Sequence, residues 1–121
     1  MTPFARILQR AVEATPGAIG GAFAASDGEM VDSFAASYDA QEWAILTAHY
    51  GVVLAQLHAA FGTWHFGFPE YFIAQHATLD VVVHAVEAGY YALIAVTEPA
   101  PLATALSTLR TAAAELRREM A

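Results

Sequence analysis

The chain has 121 residues, 57% of them hydrophobic, and sets 12 acidic side chains against five arginines, with no lysine or cysteine and a formal charge of −7. That length suits one domain, expected to span residues 1–121, and the lack of cysteine excludes a disulfide scaffold, thiolate metal ligands and thiol nucleophiles. Arg6, Arg10, Arg110, Arg117 and Arg118 all lie near the ends, and the ten acids between Ala11 and Leu109 have no base among them, which argues against nucleic acid as a partner because phosphates need opposing charge.

Residues 3 to 14 read as a first helix. Phe4, Ile7, Leu8, Ala11 and Val12 recur at three and four residues, the spacing of one helix face. Thr2 caps it, Pro3 takes the first helical position, and Thr15-Pro16-Gly17 ends it. Ala18 to Ala25 and Met30 to Ala35 form a hairpin across the turn Ser26-Asp27-Gly28-Glu29, where glycine supplies a positive φ.

The middle helix is the clearest element. Asp39 with Glu42 resembles a capping box. A bulky stripe follows through Trp43, Leu46, Tyr50, Val53 or Leu54, Leu57 and Phe61 as far as Gly62. Beside it runs a small-residue stripe of Ala44, Ala48, Gly51, Ala55 and Ala59. The bulky stripe is core, and the small one permits close approach of another helix or of the sheet. Gln56 and His58 interrupt the apolar run, so a packed helix is expected and membrane insertion is not. The N-terminus has no apolar run with a cleavage site, and a cytoplasmic protein is expected.

The aromatic stretch Trp64-His65-Phe66-Gly67-Phe68 reads either as a packed connection or as a recognition loop. Strands are expected over 70 to 78, 79 to 86 and 90 to 97, with a turn at Glu87-Ala88-Gly89. Pro99 and Pro101 lead into a last helix with Leu102, Leu106, Leu109, Ala113, Leu116 and Met120 on one face. The fold class is therefore α+β in the order α-β-β-α-β-β-β-α, with a five-stranded antiparallel sheet covered by helices.

No group of residues forms a catalytic pattern, and neither an enzyme nor a cofactor is expected. His49 and His58 are nine apart on one helix, whereas shared ligation needs three or four. His76 and His84, on neighbouring strands, could meet across the ladder, and with His65 they leave a metal-dependent reading open. Asp27, Glu29 and Asp32 lack the regular oxygen spacing of a calcium loop. Ser26, Ser33 and Ser37 stand in no nucleophile elbow, and a chain without lysine has no phosphate-loop lysine.

The element order, with Phe4-Ala5-Arg6-Ile7-Leu8, the Pro16-Gly17-Ala18 start, the Ser26-Asp27-Gly28 turn and the strand-turn-strand-helix ending, resembles the roadblock (dynein light chain roadblock) family, in particular its small bacterial and archaeal members. The resemblance implies a homodimer whose middle helices pack side by side and whose sheets join through the first strand after that helix. Ala44, Ala48, Tyr50, Gly51 and Ala55 would then lie at the seam, and the strand bearing Tyr71, Ile73 and Gln75 would make the shared edge. It also implies a scaffold or regulator of a small Ras-like GTPase, with the partner carrying nucleotide and magnesium. The alternatives are an assembly subunit without a GTPase partner and a small-molecule-sensing or metal-dependent domain.

Overall fold

A five-stranded antiparallel sheet, its strands in the spatial order Met30–Ala35, Ala18–Ala25, Tyr90–Thr97, Leu79–Glu87 and Tyr71–Gln75, separates two helical layers. The structure is a computed structural model that describes residues 1–35, 38–97 and 101–121. Ser37 and Pro99 lie outside the described residues. The elements are α1 (Pro3–Glu13), β1 (Ala18–Ala25), β2 (Met30–Ala35), α2 (Ala40–Phe61), β3 (Tyr71–Gln75), β4 (Leu79–Glu87), β5 (Tyr90–Thr97) and α3 (Leu102–Met120).

The α1 and α3 helices share one face of the sheet. Ile7, Leu8 and Val12 from α1 and Leu109, Ala113 and Leu116 from α3 pack with Phe23, Val82, Ile94 and Val96 into one core. The Thr2 hydroxyl accepts from the Ala5 amide at 3.0 Å, filling one of the donors that a helix start leaves open. An ion pair between Arg10 and Glu115, 2.6 Å apart, links the two helices on the solvent side. The Arg117 Nε donates to the Val86 carbonyl at 2.7 Å and ties α3 to the end of β4.

The opposite face carries α2 alone. Trp43, Tyr50 and Leu54 pack there on Ala22, Val81, Val83, Tyr91 and Leu93. Strand alternation produces this two-sided core, since successive side chains of β4 and β5 serve opposite faces. β5 is accordingly apolar almost throughout, as a strand covered on both sides must be, whereas β4 carries Asp80 and His84 among its buried residues. Asp39 accepts from the Glu42 amide at 3.3 Å and begins α2 where its capping pair predicts.

Four boundaries differ from expectation: α1 ends at Glu13, β3 begins at Tyr71, and the ends of β3 and β4 are displaced. β3 stops at Gln75 instead of reaching residue 78, because the chain turns there and the His76 amide donates to the Leu79 carbonyl at 2.8 Å. β4 runs on to Glu87, one residue beyond its expected end, with a register irregularity between Ala85 and Glu87. By length and composition α2 could cross a membrane. Its Trp43 and Leu54 face is nonetheless laid on the sheet, with only 1% and 3% of those side chains exposed.

Candidate functional site

Two aromatic anchors and two glycines hold α2 on the sheet. Trp43 lies over Gly20, where an added Cβ would come within 2.9 Å of the indole. The indole N–H donates to the Gly21 carbonyl at 3.1 Å. Eight residues along the helix, Gly51 lies over Tyr91, and a Cβ there would stand 2.5 Å from the phenol oxygen. That phenol donates to the Thr47 carbonyl at 2.7 Å. Burial of Tyr91 pushes its pKa up to about 12, with the Asp27 charge adding to the rise and a backbone hydrogen bond to Gly51 opposing it. The close approach expected at Gly51 is thus made to its own sheet.

Tyr50 is also turned inward, with 7% of it exposed. Its hydroxyl lies 2.6 Å from Nε2 of His76 and fastens α2 to the turn after β3, and burial raises its pKa. Ala44 and Ala48 are half-buried at the margin of the helix, and Ala55 is exposed. Among the five seam residues expected on α2, then, Tyr50 and Gly51 serve the intramolecular contact, Ala48 lies against Gly28 in the turn of the first hairpin, and Ala44 and Ala55 border the outer face.

The outer face has a composition that the two-stripe reading missed. Ile45 is 52% exposed, Val52 55% and Val53 39%, with exposed His49 and Gln56 between them. Ile45, His49, Val52 and Gln56 follow one another by four, three and four residues, which is a third stripe of the same helix. Val53 belongs to that exposed side and Leu54 to the core; Phe61, expected in the core stripe, is 44% exposed. The signal was present in the sequence: α2 is apolar on every side, and a helix of that kind is normally enclosed on every side.

β2 and β3 are the two edge strands of the sheet, and α2 meets the β3 edge where Tyr50 packs on Phe72 and His76. β3 pairs with β4 on one side and has no strand on its other side among the described residues. Phe72 and Ala74 pack toward α2. Tyr71, Ile73 and Gln75 point to the other side of the sheet and are exposed. Tyr71 stacks on His84 with centroids 6.1 Å apart, and the Arg110 guanidinium sits 5.6 Å from the Tyr71 ring. An unpaired edge with apolar side chains is a template for another strand unless it is covered or charged.

The histidines do not converge. His76 bonds to Tyr50, while His84 stands opposite Tyr71 in the register, so the two do not meet across the ladder. His84 donates its Nδ1–H to the Ala85 carbonyl at 2.7 Å. Among the described residues no group of three or more His, Cys, Asp or Glu could hold a metal ion.

The architecture is that of the roadblock/LC7 domains. The chain is similar to the gliding protein MglB from Thermus thermophilus, with a TM-score of 0.86 at 16% identity over 98% of this chain and 90% of that one. It is similar to Myxococcus xanthus MglB, with a TM-score of 0.86 at 11% identity over 99% and 96% of the two chains. A roadblock/LC7 domain from Streptomyces avermitilis superimposes with a TM-score of 0.83 at 12% identity over 95% of each chain. No family model and no curated protein sequence matches the chain.

Proposed function

We propose that the chain is a non-enzymatic homodimeric adaptor of the roadblock type, working in the cytoplasm as a regulator of a small Ras-like GTPase. The observation that carries this reading is the exposed Ile45, Val52 and Val53 face of α2 together with the open edge of β3. Two copies related by a two-fold axis would lay these helix faces together, with Ala44 and Ala55 at the margins, and join their sheets along Tyr71, Ile73 and Gln75. One association would cover both the apolar helix face and the strand edge.

The dimer would dock on the GTPase and favour one arrangement of its switch segments, which are the parts that nucleotide and magnesium order. This mechanism asks of the present chain a rigid surface and no chemistry. The GTPase component rests on the family resemblance together with the shared fold. Co-purification with GTPases encoded near the gene, followed by nucleotide hydrolysis with and without the adaptor, tests it. Binding with a changed hydrolysis or exchange rate is the expected result. A stable dimer that binds none of them would leave an assembly subunit in its place.

A further inference from the structure

The aromatic stretch after α2 is neither a packed connection nor charged surface. Trp64 is 56% exposed, Phe66 78% and Phe68 61%, and Phe61 at the end of the helix joins them at 44%. Trp64 and Phe66 stack with centroids 5.5 Å apart, and Phe68 rests on His58 at 5.0 Å. From Phe61 to Pro69 there is no Asp, Glu, Lys or Arg. Monomeric proteins rarely leave such a contiguous apolar patch to water.

We infer that this segment is a clasp for a second copy of the chain, closing over the N-terminal end of the partner's α2. The inference rests on the dimer reading above and adds to it the loop's role. A two-fold axis normal to the joined sheets keeps both α2 helices on one face and runs them antiparallel, with Val52 and Val53 near the middle of Ala40–Phe61. The C-terminal end of one helix, with its aromatic loop, then lies beside the partner's N-terminal end. The exposed apolar side chains there are Ile45 and Tyr38, 52% and 41% exposed, and they give the aromatic rings a surface to cover.

The area needed by a stable dimer points the same way. A specific interface takes roughly 800 Å² from each partner. With side chains of roughly 150–250 Å² each, the exposed fractions of Ile45, Val52, Val53, Phe61, Tyr71 and Ile73 amount to on the order of 500 Å². Trp64, Phe66 and Phe68 roughly double the apolar area that this side of the molecule offers to a second copy. Charge disfavours a membrane as occupant, because a chain of −7 without a base between Ala11 and Leu109 is repelled by anionic lipid.

The chain has two tryptophans, and Trp43 is buried, so Trp64 can be followed by acrylamide quenching of the intact protein, with Trp64→Phe defining the Trp43 background. Across a dilution series, Trp64 should lose its accessibility as the mass doubles, and Phe66→Ser should raise the dimer Kd by about tenfold or more while leaving the melting temperature of the Val52→Glu monomer unchanged. Doubling of mass with Trp64 equally quenched throughout, and a Kd indifferent to Phe66→Ser, overturns the clasp and leaves the dimer standing. A monomer at every concentration overturns both. Shielding that appears only on adding phosphatidylcholine vesicles assigns the loop to a lipid surface and also overturns the clasp.

Discussion

At the residue scale, Gly51 and Tyr91 form the tightest point of the α2 contact, and each has a measurable consequence. A methyl group at Gly51 would meet the Tyr91 phenol at 2.5 Å. Gly51→Ala should therefore destabilise the fold by about 1–3 kcal/mol, the usual cost of overpacking, despite the roughly 1 kcal/mol by which alanine favours a helix over glycine. Chemical denaturation measures the net effect, and a stabilised variant would show that the helix lifts freely from the sheet. Tyr91 stays neutral in the fold up to about pH 12, whereas its ordinary value is 10.0. The unfolded chain loses that proton first, so the contribution is complete below pH 10.0 and is lost as pH rises toward about 12. Tyr91→Phe should flatten that alkaline decline, as measured by thermal melts across the same pH range.

At the element scale, helices and strands were legible wherever local pattern and tertiary role agree. The Asp39 cap, the aspartate-glycine turn of the first hairpin and the valine-rich run of β4 all lie where their chemistry predicts. β3 was less legible because the residues that end it, His76 and Thr78, have no breaker between them, and only the turn bond from His76 to Leu79 shows where pairing stops. The outer face of α2 was obscured for a different reason. Periodicity separates an apolar side from a polar side, and Ile45, Val52 and Val53 make α2 apolar on both. Within the small-residue stripe Gly51 marks a close approach, while Ala55 and Ala59 are exposed, and spacing alone cannot say whether the neighbour is the chain's own sheet or another helix. Tyr91 answers that for Gly51.

The same element scale supplies a test of the proposed edge. Ile73, 36% exposed on β3, would lie beside its counterpart if two sheets join there. Ile73→Lys sets like charges next to each other across the seam, a device that keeps natural edge strands apart. The expected outcome is a dimer weakened by about tenfold with an unchanged far-ultraviolet circular dichroism spectrum, checked by sedimentation velocity. An unaltered sedimentation profile would place the seam away from β3.

At the scale of the whole molecule, the two layers differ in character. All five arginines lie on α1 and α3, in a layer whose helices pack on each other as well as on the sheet. Among the described residues the α2 layer is a single helix with an uncovered apolar side and an aromatic loop at its end, on a sheet whose β3 edge is unpaired. Under the proposed dimer, this asymmetry divides the fold into one face for its own stability and another for association. The central claim is that the second face holds two copies together through the outer side of α2. Light scattering of the wild type and Val52→Glu over micromolar concentrations tests it most directly, since a carboxylate at that half-exposed position is harmless in a monomer and costly when enclosed. The wild type is expected at twice the chain mass of 12.9 kDa and the variant at the single mass. A wild type that stays at the single mass, or a variant that dimerises as well as the wild type, would contradict it.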